Sequence, residues 1–156
     1  VSGAAGKRSG SVEGTERLGA ALAPALRMGD VVTLSGELGA GKTCFVRGLA
    51  RALKPGARVR SPSFTLVNEI DASPPLFHLD LYRLATGEVD GLGLEEYAGR
   101  GALVVEWGER LPSAWRTEAL ALAFAIDGDA RRIEGSARAG RGLELLAAWR
   151  SLPEQP

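Results

Sequence analysis

After Thr15 the apolar positions Leu18, Ala21, Leu22, Ala25 and Leu26 recur at helical spacing, predicting an amphipathic helix that Pro24 kinks or ends. Gly29-Asp30 then turns the chain into Val31-Val32-Thr33-Leu34, a short β-branched apolar run suited to a buried strand. A second helical stripe follows in Phe45, Val46, Leu49, Ala52 and Leu53, and Lys54-Pro55-Gly56 stops it. Residues 64–70 and 76–80 read as strands separated by Asp71-Ala72-Ser73-Pro74-Pro75. Residues 88–97 are weakly helical, with Gly91 and Gly93 inside them, and 102–107 is a buried strand with polar residues at its end. Residues 119–126 and 131–137 predict a hairpin across Asp127-Gly128-Asp129, residues 138–142 a loop, and 143–149 a last helix. Strands and helices alternate first and a hairpin closes the chain. The expectation is an α/β fold with a parallel core, one antiparallel edge and helices on both faces.

Between the first strand and the second helical stripe stands GELGAGKT, residues 36–43. Gly36, Gly41, Lys42 and Thr43 fit the phosphate-binding P-loop pattern of Gly, four residues, Gly, Lys, Ser/Thr, in the strand–loop–helix setting that the pattern requires. The glycines, with Gly39 among them, allow a tight turn that aims backbone N–H groups at phosphate oxygens. Lys42 brings a mobile point charge, the Thr43 hydroxyl can ligate Mg²⁺, and the helix N-terminus adds its positive dipole end. The sheet expected above is therefore a P-loop NTPase-like sheet. One domain over residues 13–152 accommodates it, with flexible tails at 1–12 and 153–156.

Composition narrows the chemistry. The formal net charge is zero, from 19 basic and 19 acidic residues, so overall charge gives no strong non-specific pull toward nucleic acid. One Cys excludes an intrachain disulfide framework, and one His excludes a multi-histidine zinc site within one chain. VSGAAGKRSG has no apolar segment of the signal-peptide kind, and no stretch has the length of a membrane span. A cytoplasmic location is the default expectation.

A nucleotide hydrolase needs carboxylates near metal and water, and a P-loop sheet offers them where apolar strands end. Leu103-Val104-Val105-Glu106 fits well; Leu76-Phe77-His78-Leu79-Asp80 fits less cleanly, because polar His78 interrupts it. Either acid could instead be a structural cap or an ion-pair partner. His78 alone reads more simply as a strand histidine than as a catalyst, and Cys44 as a small buried residue rather than a nucleophile. Ser61-Pro62-Ser63-Phe64-Thr65-Leu66 is rich in hydroxyls, as in a switch over a γ-phosphate, or as in a plain turn. Guanine-specific P-loop proteins read the base with Asn-Lys-x-Asp. The single Asn, Asn68, precedes Glu69, so ATP is favoured.

Taken together, GELGAGKT, CFVRGLARAL, SPSFTLVNE, HLDLYRL, GLEEY and VVEWGERLP resemble, in order and spacing, the TsaE (YjeE) family over residues 15–112. The resemblance implies an ATPase of the bacterial tRNA threonylcarbamoyladenosine pathway. It would work with two partner proteins, TsaD and TsaB, so that its ATP hydrolysis lets the modifying complex turn over. The cofactors implied are ATP and Mg²⁺. By position, Glu37, Leu38, Gly39, Ala40, Gly41, Lys42, Thr43 and Cys44 would cradle the nucleotide. Thr43, Asp80 and Glu106 would serve metal and water, with Glu106 in the Walker-B-like place. Thr65 would lie in the switch-like segment. Tyr82, Arg83 and Trp107 would lie near nucleotide or partner, and Thr15 near adenine. Ser63 and Cys44 stand where Thr is common and Ile70 where an aromatic is usual; none touches the phosphate chemistry. Two rivals remain: a small-molecule P-loop kinase, which would need an Arg-rich lid where only Arg83 and Arg100 are evident, and a nucleotide-gated adaptor with little turnover.

Overall fold

The computed structural model describes residues 5–59 and 67–156. Seven strands, β1 (Gly6–Ser9), β2 (Val31–Ser35), β3 (Val67–Ile70), β4 (Leu76–Asp80), β5 (Ala102–Glu106), β6 (Leu120–Asp127) and β7 (Ala130–Ser136), form one sheet. Its order is β1-β7-β6-β2-β5-β4-β3. The four middle strands, β6, β2, β5 and β4, run parallel. The sheet is antiparallel at both edges, where one such edge was expected: β3 pairs with β4 on one side, and β7 and β1 extend the β6 hairpin on the other.

Alternation along the strands sorts the core into two layers. Val32 and Leu34 of β2, Ala102 and Val104 of β5, and Leu120 and Leu122 of β6 are buried with α1 (Val12–Leu22), α2 (Lys42–Leu53) and α5 (Gly140–Ser151). Val31, Phe77, Leu79, Leu103 and Val105 pack on the other face, beneath the 3₁₀ turn Thr86–Leu92 and α3 (Leu94–Ala98). Helices therefore cover both faces. A short helix α4 (Ser113–Arg116), which the hydrophobic pattern did not predict, lies in the connection to β6. Pro24 ends α1 by turning the chain into a 3₁₀ segment, Ala23–Ala25. Among the described residues no helix is long and apolar enough to cross a membrane.

Both segments expected as tails are tied down in part. Gly6–Ser9 is strand β1, paired with β7 in register Gly6↔Glu134 to Ser9↔Arg131. The Lys7 ammonium, 3% exposed, donates to the carbonyls of Arg150 and Leu152, at and just past the C-terminus of α5. A cation there satisfies carbonyls that the helix itself leaves without partners. Gln155 bridges to Ser9, and its side chain accepts from Arg17. The small polar sequence carries no strand signal of its own; the open edge of β7 and the end of α5 impose the structure.

Two glycines let α1 and α2 approach closely. A Cβ on Gly48 would lie 2.6 Å from the Glu16 Cα, and one on Gly19 would lie 2.9 Å from the Leu49 nitrogen. Backbone against backbone leaves no room for a side chain, so α1 is held with its N-terminus over the start of α2. Gly48→Ala is expected to cost about 1–3 kcal/mol through overpacking, beyond the ~1 kcal/mol that Ala gains over Gly in a helix interior. Urea denaturation of the two proteins measures it; equal midpoints would show that the helices slide apart freely.

Candidate functional site

Strand β2 ends at Ser35, and the 36–41 loop carries the chain from it to the first residue of α2, Lys42. Gly36, Gly39 and Gly41 all have positive φ (135°, 83° and 104°), conformations that side chains resist. At Gly36 a Cβ would also run into the Phe124 carbonyl, whereas around Gly39 the space is open. The Lys42 ammonium donates to the carbonyls of Gly36 and Glu37 and lies 4.3 Å from the centre of the Trp107 ring. Burial pushes its pKa down, while the carboxylates of Glu106, Glu109, Asp80 and Glu37 pull it back up.

The carboxylates come from two neighbouring parallel strands, in register Asp80↔Glu106. Both lie at strand ends on the α2 face. The Thr43 hydroxyl stands 2.9 and 3.1 Å from the two oxygens of Glu106, itself only 3% exposed. Glu106 Oε2 also lies 2.6 Å from Nε2 of His78, which is fully buried. Asp80 accepts the Tyr82 N–H at 3.0 Å. Burial pushes its carboxyl pKa up and Glu106 adds to the shift, against the Tyr82 hydrogen bond and the charges of His78 and Lys42.

Immediately after Glu106, Trp107 adopts the left-handed region at φ 58°, the one described non-glycine residue with positive φ. Such a backbone costs about 1–2 kcal/mol. It folds the indole back over Lys42 and against Tyr82, ring centres 5.1 Å apart. Arg110 fastens this corner: its guanidinium donates to the carbonyls of Leu81, Tyr82 and Leu84 and lies 5.5 Å from the Trp107 ring.

Lys42, Thr43, Asp80, Tyr82, Glu106 and Trp107 line one cavity of about 520 Å³. Of the residues expected from the sequence, Leu38 to Cys44, Thr15, Asp80, Arg83, Glu106 and Trp107 all reach it, as does Tyr82. Glu37 contributes its carbonyl to Lys42 from outside the wall. Leu38 is exposed at the loop tip. The Thr15 hydroxyl is buried and donates to Ser9 Oγ at 2.9 Å, so α1 presents Thr15 to the cavity from a fixed position. The half-buried Cys44 thiol approaches the Val12 carbonyl at 3.6 Å, and burial raises its pKa. Thr65 and the rest of the hydroxyl-rich stretch lie outside the described residues.

The sequence pattern missed the far wall. Arg131 of β7 donates to the Gly39 carbonyl at 3.2 Å, and Asp129 stands beside it. The hairpin reaches the loop because β6 is the other neighbour of β2, a fact of strand order that no local motif records. His78 was legible only as an oddity in an apolar strand. Arg110 lies within the VVEWGERLP stretch, but the resemblance assigned it no role.

Comparison with known proteins decides the family. The sequence model of threonylcarbamoyl adenosine biosynthesis protein TsaE matches residues 9–133. The chain belongs to the TsaE family. A Bacillus subtilis tRNA threonylcarbamoyladenosine biosynthesis protein TsaE is 37% identical over 141 residues, covering 89% of each chain. The TsaE proteins of Synechocystis sp. and Nostoc sp. are 48% and 45% identical over 104 and 106 residues. Those alignments span 66% and 65% of the relatives' own lengths, just under two-thirds. The crystal structure of Bacillus subtilis YdiB superposes with a TM-score of 0.74 at 35% identity, covering 92% of both chains.

The residues of this TsaE-family site suit Mg²⁺ and a polyphosphate. Among the described residues there is no group of three or more His, Cys, Asp or Glu placed to hold a metal. Mg²⁺ does not need one: it takes one or two protein oxygens and completes its shell with phosphate oxygens and water. A hydroxyl against a carboxylate, below a glycine loop at a helix N-terminus, is that kind of donor set.

A carboxyl with a raised folded-state pKa is free of cost below its unfolded pKa. It weakens the fold as pH rises from there through the folded value. Asp80→Asn is therefore expected to be more stable than wild type at pH 7, and the gain to vanish below about pH 4. Denaturant titrations across that range read the difference. A gain independent of pH would mean that the Asp80 charge costs nothing.

Proposed function

We propose that this chain binds Mg-ATP at the 36–43 loop and hydrolyses it, as the ATPase that lets a tRNA threonylcarbamoyladenosine-forming complex turn over. The observation that carries the reading is the Thr43 hydroxyl resting on the buried Glu106 carboxylate, directly beneath the glycine loop, in a member of the TsaE family. The names of the relatives support the pathway, and the site chemistry supports the reaction class.

In this reading the loop amides and Lys42 bind the phosphates, the ammonium exchanging the Gly36 and Glu37 carbonyls for phosphate oxygens. Thr43, Glu106 and Asp80 would hold Mg²⁺, which when bound neutralises charge on the β- and γ-phosphate oxygens. Glu106 orients the attacking water and accepts its proton at a carboxylate oxygen, Asp80 supporting it from the neighbouring strand. Trp107 and Tyr82 shield the reacting end from solvent. Arg83, on the cavity wall, is the proposed cation for charge that builds on the γ-phosphate. Thr15 is the proposed neighbour of the base, and Cys44 lines the same cavity. The partners proposed are TsaD and TsaB, and the work on tRNA sets the proposed location in the cytoplasm.

Lys42→Ala is expected to weaken ATP binding about 10- to 100-fold, the worth of a lost charge-assisted contact. Nucleotide titration of the folded variant measures this, and wild-type affinity would sink the loop assignment. Glu106→Gln is expected to keep most nucleotide binding and to lose turnover by about 100-fold or more. Normal hydrolysis by that variant with its partners present would make Glu106 structural.

Hydrolysis by the purified chain is expected to be slow and to rise when TsaD and TsaB are added, because groups across an interface can exclude water and neutralise charge. Steady-state phosphate release with and without the partners, beside multiple-turnover tRNA modification, tests the whole reading. Modification that cycles equally well without this chain would remove the pathway role and leave the ATPase.

A further inference from the structure

His78 interrupts an otherwise apolar strand, is fully buried, and is spent on one contact. Its Nε2 lies 2.6 Å from Glu106 Oε2. In a hydrogen bond to a carboxylate oxygen acting as acceptor, Nε2 carries a hydrogen. Nδ1, equally buried, finds no hydrogen-bond partner among the described residues. Leaving a buried polar atom unpaired is costly, and a histidine retained for packing alone would not be expected to carry that cost. The strand register explains the aim. His78 sits opposite Val104 and Asp80 opposite Glu106, so His78 and Glu106 lie on one face, one step apart on neighbouring parallel strands.

We propose that His78 is a positioning residue for the reaction assigned above: through Nε2 it fixes the rotamer of Glu106, so that the carboxylate faces Thr43 and the phosphate end of the cavity. The inference rests on the ATPase reading. Thr43 reaches both oxygens of Glu106, at 2.9 and 3.1 Å, and His78 holds Oε2 by the shorter contact, 2.6 Å. Removing the imidazole leaves the buried Oε2 only the longer contact to the Thr43 hydroxyl, which it shares with Oε1, and frees the side chain to turn. His78 never touches the nucleotide, since the cavity wall includes Glu106 and Asp80 but not His78. Its loss therefore acts on turnover rather than on phosphate binding.

The test uses the full chain with its partners and the variants His78→Leu, His78→Asn and His78→Gln. Gln carries an amide N–H close to the place of Nε2; Asn is too short to reach Glu106, and Leu fills the volume without a donor. Two quantities are read: steady-state ATP hydrolysis, and ADP affinity without divalent cation, which reports the integrity of the glycine loop. Supporting partners of carboxylate sites are typically worth about 10- to 100-fold in activity. That loss is expected for Leu and for Asn at unchanged ADP affinity, with Gln restoring hydrolysis to near wild type. If Leu alone fails to fold, the contrast between Asn and Gln carries the same information. Wild-type hydrolysis by His78→Leu beside an inactive Glu106→Gln would overturn the inference and leave the ATPase reading standing. Equal loss of hydrolysis and ADP affinity in all three, Gln included, would make His78 a packing residue and also overturn it. Full hydrolysis by Glu106→Gln would make Glu106 structural and overturn the inference, while leaving the chain an ATPase.

Discussion

The buried carboxylate of Glu106 is the constraint on which this site depends. Its oxygens meet the Thr43 hydroxyl at the start of α2 and the His78 imidazole within β4. One side chain thus ties together the helix that follows the glycine loop and two parallel strands. A carboxylate this deeply buried is tolerated only with donors on its oxygens.

Around that point the fold supplies walls by strand order. β2 delivers the loop between its two parallel neighbours. From β5 come Glu106 and the left-handed Trp107, which caps Lys42; from the β6–β7 hairpin comes Arg131, which grips the Gly39 carbonyl. Open parallel sheets bind ligands at the C-terminal ends of their strands, where loops diverge, and this cavity sits there. The third wall is α1, brought close by the glycines of the α1–α2 crossing. Burial sets the electrostatics: it moves Lys42 and Asp80 in opposite directions, each toward its neutral form.

The frame is held away from the site. Asp30, just before β2, is 1% exposed at its side chain and takes two hydrogen bonds from Arg141 of α5, at 2.8 and 2.7 Å. These bonds raise the pKa of the guanidinium. Lys7 holds the other end of α5. Together these contacts link the first and last elements of the chain to the strand that carries the loop.

What the sequence determined by itself was whatever is encoded locally. The P-loop spacing, the helical stripes of α1 and α2, the stops at Pro24 and Lys54-Pro55-Gly56 and the acids ending β4 and β5 are patterns of neighbouring residues, and they named most of the cavity wall. Strand and helix periods leave local traces because they follow from backbone geometry. Tertiary structure alone decided the rest. Gly6–Ser9 becomes a strand only because β7 offers an edge and α5 offers carbonyls to Lys7. The second antiparallel edge, and Arg131 beside Gly39, follow from which strand lies next to which. His78 changes from an interruption in an apolar run to the partner of Glu106, 28 residues away. Such contacts are set by the pairing of distant segments around a shared core, and no short stretch of residues contains that pairing.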